Sequence, residues 1–260
     1  MASAPQPTLP LFYNDLMPLN SRDHANYKLN PPSGMTWLVN QHAVPVTTDE
    51  FIQAQRHFPI VFSAGEGSVP LALMGLNEGV NTFFNEEGKL EEDIYIPAYA
   101  RRYPYLLARL TPDAQEMSLC FDPSAGMLGE SGEGEPLFDA EGKPAAPIQG
   151  ALDFCEKFEE AGARTQAFVK ELEDKGLLMD GEVAITRNDD PEKPYIYRGF
   201  KMVDQDKLRD LDAETAKLWT GNGIMALIFA HLFSMDMMRI IFGRQVGKGM
   251  MPEATEQPAA

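Results

Sequence analysis

Ile224 to Phe242 reads IMALIFAHLFSMDMMRIIF, and what this stretch becomes decides the fold. Nearly every position is apolar, so no polar stripe marks an outer side. A helix that is apolar all round belongs in a protein core or in a bilayer. A span needs ~20 apolar residues, and His231, Asp236 and Arg239 inside this one would each be costly in hydrocarbon. The stretch is therefore expected to be a central helix closed by Gly243. It should be buried along most of its length, with Leu232 among its core positions.

Working back from it, Asp204 and Asp212 stand where N-caps belong, before KLRDL and AETAKLW. Val183–Thr186 and 195–200 read as a strand pair around the polar turn Asn188-Asp189-Asp190-Pro191. Leu152, Cys155, Phe158, Ala161, Thr165, Phe168 and Leu172 recur three and four apart, as one buried helix face requires. Gly162 leaves a break into two helices open, and Gly176 is a natural C′ residue.

The first half of the chain reads mostly as strands. Trp37–Val39, Ile60–Ser63, 71–76, 82–84 and Ser118–Phe121 are short β-type runs bounded by Gly, Pro or Asn. Asn85 to Gly88 fits a hairpin turn. One helix, 49–57, is expected between them, capped by Thr48 and stopped before Pro59. Residues 123–150 read as a long surface loop with a small hairpin at 137–142. Strands first and helices last predict an α+β fold. Short, mainly antiparallel strands of the N-terminal half should pack on a mostly helical C-terminal half with a buried terminal helix. Residues 11–243 are expected to form one domain, with flexible tails at 1–10 and 244–260.

The formal charge of −17 and pI near 4.6 repel phosphate backbones and anionic headgroups, which lowers the case for nucleic-acid or polybasic membrane binding. Cys120 and Cys155 form no CxxC or Cys/His cluster, and read as buried thiols of a reducing compartment. The N-terminal residues lack the basic and apolar regions of a secretory signal. A cytoplasmic, soluble protein is expected, with no transmembrane segment.

Motifs for chemistry are sparse. His24, His42, His57 and His231 sit in none of the HxH, HxD, HxE or HExxH spacings that aim two ligands at one metal. His231, inside an apolar helix, reads as a hydrogen-bonded core histidine. No GxSxG, GxGxxG or Walker A pattern occurs. Neither a metal nor a cofactor is expected.

One stretch departs from its acidic surroundings. Ile94 to Pro112, IYIPAYARRYPYLLARLTP, holds half of the tyrosines, three arginines and no carboxylate. Pro97 suits the first position of a short helix, which would set Tyr99 and Tyr103 on one side with Arg102 beside them. Arginine and tyrosine together anchor carboxylates or a protein partner. Arg101, Arg102, Tyr99, Tyr103 and His57 are therefore the candidate binding residues, for a protein partner or a small anionic ligand. The same side chains would equally serve as core-edge packing with the arginines paired to nearby acids.

RHFPIVF, YIPAYARRYPYLL and AHLFSM, with LFDAEG at 137–142, DFCEKF at 153–158 and GFKMVDQDKL at 199–208, resemble the bacterial SapC family. The resemblance implies an accessory role in a surface layer or in TonB-linked nutrient uptake, exercised through protein or small-ligand binding. It implies no catalytic residue. The alternative is an enzyme of undescribed type, with a pocket in which Arg101 or Arg102, a tyrosine and His57 or His231 converge.

Overall fold

A computed structural model describes residues 9–111, 113–187 and 190–250; the terminal residues of both expected tails, and Asn188 and Asp189 of the expected turn, lie outside these. In chain order the strands begin with β1 (Met17–Pro18), β2 (Lys28–Leu29), β3 (Ala43–Pro45), β4 (Ile60–Ser63) and β5 (Pro70–Leu73). β6 (Tyr105–Ala108), β7 (Ser118–Phe121), β8 (Leu128–Gly129) and β9 (Glu135–Pro136) follow. β10 (Leu178–Asp180), β11 (Val183–Arg187), β12 (Asp190–Tyr197) and β13 (Phe200–Val203) complete them. The helices are α1 (Phe51–Ala54), α2 (Ala98–Arg101), α3 (Ala146–Asp174), α4 (Gln205–Arg209), α5 (Ala213–Asn222), α6 (Ile224–Ser234) and α7 (Met237–Gly247). Every strand pair is antiparallel. Short strands lie mostly in the first half and helices mostly in the second, so the fold is α+β.

Two units separate by their contacts: Met1–Ser33 with Ala100–Glu159, and Gly34–Tyr99 with Glu160–Ala260. The first holds two three-stranded sheets, β1-β7-β6 and β8-β2-β9. Tyr13 donates its hydroxyl to the Tyr105 carbonyl at 2.6 Å. The buried Asp122 carboxylate accepts from the backbone of Asn14 and Ser124, both at 2.8 Å, so its desolvation is met by hydrogen bonds.

The second unit is built on a five-stranded sheet, β10-β13-β4-β5-β3. Its register pairs Ile60 with Ala72 and Val44 with Ala72. Because opposed residues share a face, Val44, Ile60, Phe62 and Ala72 point to one side. That side carries the main core, where Phe62 lies beside Phe168 of α3 and His231 of α6. The other face presents Ala43, Val61, Leu71, Leu73 and Phe200. Ile185, Tyr195 and Tyr197 of the β11–β12 hairpin and Met238 and Phe242 of α7 pack against it.

His231 joins helix and sheet. In the β13–β4 register Phe200 opposes Ser63 and Lys201 opposes Phe62, which brings Val203 opposite Ile60. There the direct ladder stops and the imidazole takes its place. The Val203 N–H donates to Nε2 at 3.1 Å, and Nδ1–H donates to the Ile60 carbonyl at 2.7 Å. One turn on, Ser234 Oγ accepts from the Ile60 N–H at 2.8 Å. Two strand ends that would otherwise carry buried unsatisfied groups are thus satisfied by α6.

Several expectations need correction. The apolar 224–242 stretch is two helices and not one, α6 and α7 with a turn at Met235 and Asp236; it runs on past Gly243 to Gly247, and only one side of it is buried. Ile228, His231, Ser234, Met238, Ile241 and Gln245 face inward, Leu232 is half-buried, and Phe229, Phe233 and Ile240 are exposed. By length and composition Ile224–Gly247 would suffice to cross a bilayer. Its inward polar groups instead bond to this unit, Gln245 Oε1 accepting from the Leu76 N–H at 2.5 Å. Arg244 and Gln245, expected in a tail, belong to α7; Arg244 pairs with Glu92 at 2.7 Å. Trp37 lies in a 3-10 turn, Thr36–Leu38, and residues 82–84 contribute only a bridge from Phe84 to Leu90. The 49–57 helix is one turn each of 3-10 and α structure capped by Thr47, whose N–H donates to Glu50 Oε2 at 2.8 Å. α3 passes Gly162 unbroken and starts at Ala146, within the expected loop.

Candidate functional site

The tyrosine-arginine stretch is divided between the two units, Tyr99 and His57 in one and Arg101, Arg102 and Tyr103 in the other. Arg102 is buried, with Nη1 3.4 Å from Glu159 Oε1 and its guanidinium 4.4 Å from the Phe158 ring centroid. A guanidinium held between a carboxylate and an aromatic face is engaged within its own fold. Arg101 is exposed and lies over Phe154 at 5.2 Å. Tyr103 is buried and donates to Asp122 Oδ2 at 3.4 Å; burial and that carboxylate push its hydroxyl up to about 12. Tyr99 is buried in the other unit, where His57 is half-buried beside Phe58. The turn of α2 ends at Arg101, so Tyr103 is not on it.

Of the remaining polar groups, the second unit's open groove at Glu66, Glu173 and Lys201 is occupied with holding its own loop. Lys201 Nζ donates to the Gly65 carbonyl at 2.5 Å, and Glu173 accepts from the Ser68 N–H at 3.3 Å. Among the described residues, no group of three or more His, Cys, Asp or Glu side chains is placed to hold a metal ion.

A different place in this unit has the makings of a site. A cavity of about 180 Å³ lies on the outer face of the sheet, between β4, β5, the end of the β11–β12 hairpin and Met238. Val61, Leu71, Leu73, Leu76 and Phe200 make its walls apolar. Strand alternation puts Val61 and Ser63, and Leu71 and Leu73, on this side while Ile60, Phe62 and Ala72 serve the core. Gly75, also on the lining, allows the closest approach. A Cβ there would stand 2.0 Å from the Val80 carbonyl oxygen, so only glycine lets the 75–80 loop close beside the cavity.

Three polar side chains line it besides the solvent-facing Arg198, which is paired with Glu182 at 2.7 Å. Burial holds the His42 imidazole below its ordinary value, partly offset by Glu78, which keeps it neutral and able to donate from one nitrogen and accept at the other. Ser63 Oγ accepts from the Val69 N–H at 2.9 Å. The Tyr197 hydroxyl is buried with no hydrogen-bond partner among the described residues, and burial, with Tyr195 nearby, pushes it up to about 12. It is therefore a protonated donor at neutral pH. A buried donor left unmade costs ~1–3 kcal/mol, and a bound acceptor would recover that. None of His42, Ser63 and Tyr197 was singled out from sequence, since they come from three separate segments and no spacing connects them.

An antiparallel sheet with α3 and α6 on one face, and α7, a hairpin and a cavity on the other, defines an α+β protein with a small, mainly apolar recess. The SapC family model matches residues 19–240, and the chain belongs to the SapC family. No curated protein and no solved structure matches it.

Proposed function

We propose that this SapC-family chain is an accessory binding protein of a surface-layer or TonB-linked nutrient-uptake system, and that it works by holding a small molecule in the sheet-face cavity. The observation that carries this reading is the mainly apolar cavity with His42, Ser63 and Tyr197 on its lining, the last with a buried hydroxyl that has no hydrogen-bond partner among the described residues. An apolar cavity of ~150 Å³ is enough to admit benzene, so about 180 Å³ accommodates a single-ring compound. Neutral His42 and protonated Tyr197 favour an uncharged ligand with a hydrogen-bond acceptor. Two free, buried thiols accord with a working place in a reducing compartment.

The test is saturation-transfer NMR with cyclohexanone, methylcyclohexane and cyclohexanecarboxylate at millimolar concentration. Cyclohexanone should receive the strongest transfer. Tyr197→Phe should weaken its binding about tenfold, the worth of one hydrogen bond, and Leu71→Phe, which fills the recess, should abolish it. Absence of transfer to any probe from the folded wild-type protein would remove the cavity as a binding site. A preference for the carboxylate would direct attention back to the arginine-tyrosine stretch. Deletion of the gene in its native host should reduce growth on solutes taken up through TonB-dependent receptors, and unchanged uptake would argue against the assigned system.

A further inference from the structure

The side of α6–α7 that faces away from the sheet exposes large apolar side chains. Phe229, Phe233 and Ile240 are 42%, 69% and 53% exposed. The two phenylalanine rings stack on each other, 5.7 Å between centroids and 25° between planes. These side chains cannot turn inward, because His231 and Ser234 of α6 and Gln245 of α7 tie the opposite side to Ile60, Val203 and Leu76. The exposed rings amount to roughly 220 Å² at ~200 Å² per phenylalanine, a large contribution to one continuous patch on a monomer.

Farther along the same side stand Gly243 and Gly247, both exposed, where an added Cβ would meet nothing within 4 Å. Their separation equals that of Phe229 and Phe233. Between the two pairs, Asp236 and Arg239 are both exposed. We infer that two copies of this chain associate through this helix side in antiparallel fashion, about a two-fold axis passing close to Met238.

That axis sets Phe233 over the second copy's Gly243 and Phe229 over its Gly247, and does so twice, as an isologous contact requires. Bulky residues meet the two shallow places on the helix. The same axis brings each Asp236 carboxylate beside the other copy's Arg239 guanidinium, giving two ion pairs of opposite sign within a chain of net charge −17. Charge complementarity selects a second copy over a lipid surface, since Asp236 in the middle of the stripe would have to enter hydrocarbon. The aromatic area is well under the ~800 Å² per partner of a stable interface, so the association is reversible, with a Kd in the micromolar range or weaker.

Sedimentation velocity on the full chain, from micromolar to millimolar concentration, tests this. The mass should rise from 28.9 kDa toward twice that value. Phe233→Ser and Gly243→Leu, both at exposed positions that leave the fold intact, should each raise the dimer Kd at least tenfold. Asp236→Arg and Arg239→Asp should each do the same, and the double exchange should restore association. A monomer at all concentrations overturns the inference, as does a dimer indifferent to Phe233→Ser and Gly243→Leu. A double exchange that fails to rescue overturns the antiparallel register. Binding of the monomer to phosphatidylcholine vesicles through Phe233 would instead assign the surface to lipid and reject the dimer.

Discussion

Protonation of His231 should unlatch α6 from the sheet. The imidazole is fully buried, and burial, only partly offset by the hydrogen bond to Ile60, lowers its pKa from 6.5 to about 4. Protonation would put a second N–H against the Val203 N–H and a charge into the core. Between pH 6.5 and pH 4 the unfolded chain binds a proton that the folded chain does not. Stability is therefore fully present above pH 6.5 and declines as pH falls toward 4. A displacement of about 2.5 pKa units corresponds to ~3 kcal/mol at ~1.4 kcal/mol per unit. Urea denaturation of the wild type and of His231→Gln, at intervals from pH 7.5 to 4.5, isolates this residue from the many carboxylates that titrate lower. At pH 7.5 the substitution should cost ~2–5 kcal/mol, because the Val203 N–H and Ile60 carbonyl lose a fitted partner. The difference between the two proteins should shrink by ~2–3 kcal/mol by pH 4.5. A difference independent of pH, or an imidazole that titrates near 6.5 by NMR in the folded protein, would refute the bridging role.

Two further outcomes follow from burial. Ile228→Ala should cost ~2–5 kcal/mol, as full burial requires, whereas Leu232→Ala, half-buried on the same helix, should cost about 1 kcal/mol; equal losses in chemical denaturation would contradict the inward assignment of α6. Arg102→Ala should destabilise by a few kcal/mol through the buried guanidinium and its Phe158 and Glu159 contacts, while Arg101→Ala should stay within ~0.5 kcal/mol. Reversal of that order by calorimetry would show that Arg102 does not act as an internal clamp.

What the sequence determined by itself was local or strongly periodic. Asp204 and Asp212 cap their helices because a carboxylate meets backbone N–H groups two or three residues on, an interaction complete within one turn. Cys155, Ala161, Thr165, Phe168 and Leu172 are buried along α3 because the 3.6-residue period places them together. The α+β order came from the same periodicities. Tertiary structure alone decided which side of Ile224–Gly247 faces in. With apolar residues on every side, hydrophobicity could not choose, and the choice fell to where His231, Ser234 and Gln245 find backbone groups of distant strands to bond. It also decided the cavity, whose His42, Ser63 and Tyr197 meet only after strands from both halves of the chain pair. Strands of four residues carry too few alternations to announce their two faces in advance. Arg102 and Tyr103 lie in a stretch of unusual composition, but their side chains turn inward because Glu159 and Asp122, far off in sequence, are there to receive them.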